Sequence, residues 1–171
     1  MSGGSPDGVS VTRRNCNVVV ALRDTRRLVV FSHTGQTLNE INLPASLVSP
    51  RHALQLDDDD QYLLCHGWGD SAYGLCVVDA GGRIMRSAAA RSKSFAPTHL
   101  AMDCRGNVLV AEFSGSTVQL YNSQLDYVSD VVPTESGAVV KQPFRLCLDD
   151  LSGRLYVSEY TAGGRLLVFS K

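Results

Sequence analysis

The stretch Leu100-Ala-Met-Asp-Cys-Arg-Gly-Asn-Val-Leu-Val-Ala-Glu112 decides the fold, because two short apolar segments flank a tight polar turn. The same order of an apolar pair, an aspartate, a turn and a second apolar segment recurs at 54–65 and 146–158, and a weaker copy begins at Val9. The copies are 45, 46 and 46 residues apart when they are anchored on Thr12, Asp57, Asp103 and Asp149. This spacing identifies an internal repeat of about 46 residues.

Each repeat continues in further short apolar segments that are rich in Val, Leu and Tyr and are separated by Gly, Asp, Asn and Ser. Three repeats add a more polar fourth segment, at 37–43, 83–88 and 125–132. No segment keeps the 3.6-residue period of an amphipathic helix. Four short strands in a repeat of about 46 residues are typical of a β-propeller blade. The sequence therefore predicts an all-β chain of about fifteen strands, four in each of three repeats and three in the last.

Within this pattern, the segment from Phe95 to Glu112 resembles an NHL repeat, and so does the segment from Gln142 to Phe169. The resemblance extends over about residues 6–170 and implies an NHL-type β-propeller, which usually has six blades. NHL repeats usually carry an aspartate after the second strand, where its expected role is to bond the backbone of the following turn. At this position the present sequence has Leu22, His66, Glu112 and Glu159.

A chain of 171 residues is within the size of one domain. We expect a disordered tail at 1–5 and a propeller domain at 6–171, with blades at about 6–45, 50–90, 96–133 and 142–171. About four blades make a partial six-bladed propeller, so the remaining blades are expected to come from a longer chain.

Composition excludes several classes of protein. The 16 basic and 17 acidic residues give a net charge of −1, which argues against a strongly basic nucleic-acid binder but leaves room for a local basic patch. No apolar run reaches the length of about 18 residues that a membrane span needs. The first residues also lack the basic and apolar regions of a secretory signal. We therefore expect a cytoplasmic protein with no membrane partner.

The chain has five cysteines, an odd number, and none of them shows C-x-x-C spacing. This pattern argues against a disulfide framework and against a zinc cluster. Cys65, Cys76 and Cys147 lie inside apolar segments and are predicted to be small core side chains.

The histidines are the candidate metal ligands. His52 and His99 are expected near the start of the innermost strands, beside the central channel, where the related amidating-lyase propellers bind metal. Counted from the aspartates, however, His99 aligns with Ala53, so His52 is one residue out of step, and no third ligand of a zinc site is visible. The aspartates at 57–60 lack the spacing of a calcium loop and are expected to form a tight solvated turn; residues 57–59 lie outside the part of the chain that the structure describes. The prediction is no catalytic residue, no metal and no other cofactor.

Charge is predicted to be polarised between the two ends of the blades. The turns after the second and fourth strands share one end, where Arg and Lys outnumber the acids and can attract an acidic protein or an RNA. A longer loop at 67–74 carries two aromatic side chains that are candidate anchors for a partner, unless the loop packs on itself. The predicted binding residues are Arg23, Arg26, Arg27, Arg51, Trp68, Tyr73, Lys93, Lys141 and Arg145.

Two functions follow from this pattern. The first is a non-catalytic binding module that recognises a protein partner or RNA, similar to the C-terminal propeller of tripartite-motif ubiquitin ligases. The chain lacks the cysteine and histidine pattern of a RING domain, so it would contribute only substrate recognition to such a ligase. The alternative is an amidating-lyase-like or lactonase-like propeller enzyme.

Overall fold

The computed structural model describes residues 4–56, 60–67, 69, 73–88, 94–131 and 139–170. These residues form β-strands and no helix, which confirms the predicted all-β fold, and none of them contributes a helical segment able to cross a membrane. The first eight strands are β1 (Pro6–Val11), β2 (Val18–Leu22), β3 (Arg27–Phe31), β4 (Thr37–Asn42), β5 (Pro50–Gln55), β6 (Gln61–His66), β7 (Gly74–Asp79) and β8 (Ile84–Ser87). The others are β9 (Pro97–Met102), β10 (Val108–Glu112), β11 (Thr117–Tyr121), β12 (Tyr127–Val131), β13 (Pro143–Asp149), β14 (Arg154–Glu159) and β15 (Leu166–Ser170).

The strands form four separate antiparallel sheets, each of which pairs its strands in chain order. Three sheets have four strands and the last, β13–β15, has three in the described residues, as the repeat predicted. We number these sheets blades 1 to 4; they are the blades of a β-propeller fold. Within the first three blades the fourth strand is the most exposed, and it exposes apolar residues such as Met85 and Val128 as well as polar ones.

The chain divides into two compact units, an N-terminal unit at Met1–Ala88 with blades 1 and 2 and a C-terminal unit at Ala89–Lys171 with blades 3 and 4. In the N-terminal unit, one face of blade 1 packs against one face of blade 2. We call the face of blade 1 that contacts blade 2 the leading face and the face of blade 2 that contacts blade 1 the trailing face, and the equivalent faces of the other blades take the same names. The leading face of blade 1 presents Val19, Ala21, Leu28 and Val30, and the trailing face of blade 2 presents Ala53, Leu64, Cys76 and Val78.

The C-terminal unit repeats this arrangement. The leading face of blade 3 packs against the trailing face of blade 4, and Ala111 and Val157 at the centre of this contact are fully buried. Apolar burial of this kind is the main driving force for packing the sheets together. The other contributors are Leu109, Val118 and Leu120 from blade 3 and Leu146, Leu148 and Leu155 from blade 4.

Aspartates close the turns that carry the repeat. The Oδ1 atom of Asp103 accepts hydrogen bonds from the backbone N–H groups of Arg105 and Asn107, at 2.9 and 2.8 Å. Gly106 lies between them with a φ of 81°, a left-handed conformation that glycine adopts without strain. Asp149 accepts the N–H groups of Leu151 and Ser152 in the same way. In blades 3 and 4 the aspartate of the repeat is thus the cap of a tight turn.

A proline begins the innermost strand of every blade, at Pro6, Pro50, Pro97 and Pro143. Proline suits a first strand position because it has no N–H to donate to the ladder. His52 and His99 both lie two residues after such a proline and therefore occupy equivalent positions, which corrects the sequence alignment that set them one residue apart. Blade 2 has one extra residue between its proline and Asp57. Counting back from the aspartates therefore aligns His99 with Ala53 and not with His52.

All five thiols are free. Cys65 and Cys76 are buried, as predicted, and burial raises the pKa of both thiols to about 12. The prediction that Cys147 is a core residue is wrong, because its side chain is exposed. It lies in the same row as Tyr156 and Val168, on the leading face of blade 4.

Candidate recognition surface

Three of the four predicted arginines of the N-terminal unit, Arg23, Arg26 and Arg27, lie in and beside the β2–β3 turn, where carboxylates pair with two of them. Arg23 pairs with Asp24 at 3.3 Å, and Arg27 pairs with Glu40 at 2.8 Å across β3 and β4. Arg26 is exposed and has a φ of 48°, and its carbonyl oxygen accepts the N–H of Leu43. This turn therefore presents less net positive charge than the sequence suggested.

Arg51 is a buried residue of the N-terminal unit. Its Nη1 lies 3.7 Å from Oδ2 of Asp7 in β1, and its Nε donates to the carbonyl oxygen of Gly67 at 3.3 Å. The guanidinium thus links the inner strands of blades 1 and 2 and is positioned for packing rather than for contact with a partner.

The loop at 67–74 is only partly described, since Trp68 lies outside the described residues; the same is true of Lys93. Tyr73 is half-buried against Gly67, where a Cβ atom would come within 2.4 Å of the tyrosine ring. Gly67 also has a φ of 120°, so glycine is favoured there on both grounds. The loop is therefore partly packed on itself at Tyr73.

The C-terminal unit brings basic and aromatic side chains together at the start of β13. The Cζ atom of Arg145 lies 4.1 Å from the centroid of the Phe144 ring, the geometry of a cation–π contact. The Phe144 ring is 5.3 Å from that of Tyr160, which is 6.0 Å from that of Phe113. Tyr160 is 64% exposed. We call Lys141, Phe144, Arg145 and Tyr160 the arginine–aromatic cluster.

A buried carboxylate holds this cluster in place. Glu159 ends β14, and its Oε1 accepts the backbone N–H of Lys141 at 2.7 Å. Arg165 donates to both carboxylate oxygens, at 2.6 and 3.0 Å, and also to the carbonyl oxygen of Val139. Burial raises the pKa of Glu159, but the hydrogen bonds from Arg165 and Lys141 outweigh it and leave the pKa below its usual value. Glu159 therefore stays charged and fixes the segments on both sides of the cluster.

Glu112 has the equivalent role in blade 3. Its carboxylate accepts backbone N–H groups from Ala96, Ser114 and Gly115, so the predicted bonding to the following turn is confirmed at this position. The residues after the two glutamates, Phe113 and Tyr160, are both aromatic. This repeated pair of a glutamate and an aromatic residue is the sequence signal for the aromatic part of the cluster, which the distribution of charge does not indicate.

Lys141 is exposed beside an open hollow whose lining includes Gln142, Tyr160 and Thr161. Gln142 has a φ of 46°, and its N–H is held by the hydroxyl of Ser116 at 3.1 Å. The backbone on this side of the hollow is therefore fixed by hydrogen bonds, while the side chains of Lys141 and Tyr160 face solvent.

Both candidate metal ligands are used in contacts between neighbouring blades. His52 Nε2 lies 3.2 Å from the carbonyl oxygen of Val9, and His99 Nδ1 accepts the N–H of Leu146 at 3.3 Å. His66 is buried at the end of β6, and burial lowers its pKa. Across the described ranges no three His, Cys, Asp or Glu side chains are grouped as metal ligands would be.

Comparison with known proteins shows the fold but no family. No family model and no curated protein matches the sequence. Among solved structures, virginiamycin B lyase from Staphylococcus aureus has a TM-score of 0.64 at 14% identity, covering 97% of this chain and 55% of that one. A streptogramin B lyase has a TM-score of 0.67 at 12% identity, and the match covers 100% of this chain and 56% of the lyase chain. Hydrazine synthase from Kuenenia stuttgartiensis has a TM-score of 0.71 at 11% identity, and the match covers 99% of this chain and 48% of the synthase chain. The chain thus spans about half the length of these proteins.

Proposed function

We propose that this chain is an NHL-type recognition module, without catalytic activity of its own, that binds an acidic protein segment at the arginine–aromatic cluster. The observation that carries the proposal is the stacking of Arg145 on Phe144 beside the exposed Tyr160. Arginine and tyrosine are the residue types most enriched at energetically dominant positions of protein interfaces.

The cluster has the properties that such binding requires. Stacking on Phe144 limits the conformations of the Arg145 side chain, so less entropy is lost when its planar guanidinium grips a carboxylate at two points. Lys141 adds a second positive charge nearby, on a backbone segment that Glu159 anchors. Binding residues on surface loops depend on this kind of rigid support.

An acidic protein segment suits this surface better than RNA does. Binding along a phosphate backbone requires many cations that are available to neutralise it. Arg23, Arg27 and Arg165 are instead paired with carboxylates of the chain itself. A compact site made of Arg145, which stacks on Phe144 and donates to its carbonyl oxygen, the exposed Lys141 and several aromatic rings fits a short peptide.

The resemblance to tripartite-motif proteins supports a finer proposal: a cytoplasmic module that selects substrates for a ubiquitin ligase. Its RING domain would lie outside this sequence. Recovery of RING-dependent ubiquitin transfer to the bound protein, when the protein is isolated from cells, would support this role, and binding without any such activity would refute it.

An enzyme is the second candidate, favoured by the structural similarity to two lyases. One of the solved virginiamycin B lyase structures contains quinupristin. Mass spectrometry of quinupristin incubated with this chain tests the alternative directly. Consumption that scales with protein concentration would establish catalysis, and an unchanged compound is the result that a recognition module predicts.

Fluorescence anisotropy with a labelled poly-glutamate peptide tests the main proposal. We expect saturable binding that weakens about tenfold or more in Lys141→Glu and Arg145→Glu, because each change places a repulsive charge at the cluster. Arg105→Glu is the matched control, since Arg105 is exposed in the same unit but lies in the β9–β10 turn. Equal losses in all three variants would indicate a general charge effect and contradict a local site. Tighter binding of labelled oligouridylate than of the peptide would favour RNA.

The sequence also predicted a role for the β2–β3 turn, which a triple change tests separately. Replacing Arg23, Arg26 and Arg27 with glutamate is expected to leave peptide binding within about threefold of the unmodified chain, because exposed rim charges contribute little to affinity. A loss of tenfold or more would move the site to the N-terminal unit.

A further inference from the structure

Blade 4 exposes an apolar face that its equivalents bury. On its leading face, Cys147, Tyr156 and Val168 lie opposite one another in one row across the three strands, and the adjacent row consists of Arg145, Ser158 and Leu166, so this face borders the arginine–aromatic cluster. Leu166 is 64% exposed and Val168 is 51% exposed. In blade 1 the corresponding leading-face residues of the third strand, Leu28 and Val30, are almost completely buried against blade 2.

Blade 1 exposes a second apolar face, its trailing face. Two rows cross its first three strands and consist entirely of apolar side chains, of which Val9 is 56% exposed and Val11 is 61% exposed, while Val29 is buried and the other three are half-buried. Monomeric proteins rarely leave a contiguous apolar patch of this kind in water, so such a patch indicates an interaction surface. The two rows are Val9, Val20 and Val29, and Val11, Val18 and Phe31.

The packing inside the two units shows which faces fit together. In the N-terminal unit the leading face of blade 1 covers the trailing face of blade 2, and in the C-terminal unit the leading face of blade 3 covers the trailing face of blade 4. Every blade contact within a unit therefore joins a leading face to a trailing face. The exposed apolar face of blade 4 is a leading face, and the exposed apolar face of blade 1 is a trailing face.

We propose that the exposed leading face of blade 4 docks on the exposed trailing face of blade 1 in a second copy of this chain. A second copy provides an apolar trailing face for blade 4 and an apolar leading face for blade 1. This is the pairing of faces that already occurs inside each unit. Length supports this occupant, since one chain spans only 48% to 56% of three known propeller-like structures, so two copies together match the length of one of them.

This contact is head-to-tail, which distinguishes it from the commonest type of dimer. In an isologous dimer the same patch of each copy meets its counterpart, so only changes in that one patch prevent association. In a head-to-tail contact two different patches meet, so a change in either patch prevents association of identical chains. Two variants that are each damaged in a different patch can still form one intact contact with each other.

Light scattering coupled to size-exclusion chromatography tests the proposal with three variants. The unmodified chain is expected to show a mass of at least twice 18.5 kDa. Val11→Glu and Val168→Glu, each in one of the two faces, are expected to show the mass of a single chain. An equimolar mixture of these two variants is expected to regain the mass of two copies. Val128→Glu is the matched control, because Val128 is 54% exposed in β12 and lies on neither face; its mass should equal that of the unmodified chain.

Thiol modification provides a second measurement that does not depend on mass. Cys147 lies within the proposed contact, whereas Cys104 is exposed in the β9–β10 turn. Raising the protein concentration is expected to slow maleimide modification of Cys147 at least threefold relative to Cys104, and Val168→Glu is expected to abolish this difference.

Three results would overturn the proposal. If the unmodified chain has the mass of one copy, further blades of a longer chain, and not a second copy, would be the partners of these two faces. Association that survives either Val11→Glu or Val168→Glu would show an isologous or unrelated contact. A mixture of the two variants that remains monomeric, although both are folded by circular dichroism, would also exclude the head-to-tail contact.

Discussion

The guanidinium of Arg165 caps the buried carboxylate of Glu159, with Nε 2.6 Å from Oε2 and Nη2 3.0 Å from Oε1. Glu159 side-chain atoms are fully shielded from solvent, whereas the side chain of Arg165 is 48% exposed. The pair joins the end of β14 to the start of β15, and through the N–H of Lys141 it also holds the segment that enters β13. It is therefore the link between the frame of blade 4 and the arginine–aromatic cluster.

Glu159→Gln should destabilise the protein in a manner that depends on pH. At neutral pH we expect a loss of about 1.5–3 kcal/mol, because the change removes hydrogen bonds to a charged group. The folded pKa of Glu159 lies below its usual value of 4.5, so its stabilising contribution is complete above that value and is lost as the pH falls through the folded pKa. Urea denaturation at pH values from neutral to strongly acidic checks this. A difference between the two proteins that stays constant across the range would contradict it.

Asp103→Ala should destabilise blade 3 through its first turn. The change removes the acceptor of the Arg105 and Asn107 N–H groups, with an expected cost of about 1–2 kcal/mol in the free energy of unfolding. Asp103→Asn is the matched variant, since its remaining carbonyl oxygen can accept the same groups and should retain most of the stability. Equal losses in both variants, measured by chemical denaturation, would show that the backbone contacts are not the cause.

The cysteines should divide by reactivity in the folded protein. Burial raises the pKa of Cys65 and Cys76 to about 12, so almost none of either thiol is ionised at mildly alkaline pH, and neither is reached by solvent. Cys16, Cys104 and Cys147 are exposed. Mass spectrometry after brief maleimide treatment of dilute protein should find label on these three cysteines, and label on the buried pair only after denaturation. Modification of Cys65 in the native protein at the rate of Cys104 would contradict the burial.

The strands and their grouping could be predicted because the signal is local. Each apolar pair, aspartate and turn lies within a few residues, and Asp103 caps its turn through groups only two and four residues away. The burial of Arg51 was not predictable in the same way, because its partner Asp7 lies in another blade. Cys147 was misassigned since an apolar strand does not reveal which of its faces is covered. The charge pattern predicted Lys141 and Arg145 of the arginine–aromatic cluster but not Phe144 and Tyr160, because an aromatic side chain carries no charge.

The most direct test of the recognition site is an NMR titration of the isotope-labelled protein with unlabelled poly-glutamate peptide. The predicted result is saturable shifts of the backbone amides at 141–146 and 160–165, with little change in the β2–β3 turn at 23–26, because the arginine–aromatic cluster is held by those two segments. In the Arg145→Glu variant, the same backbone amides should no longer shift when the peptide is added. Saturable shifts confined to 23–26, or no saturable shift at all, would contradict the proposed site.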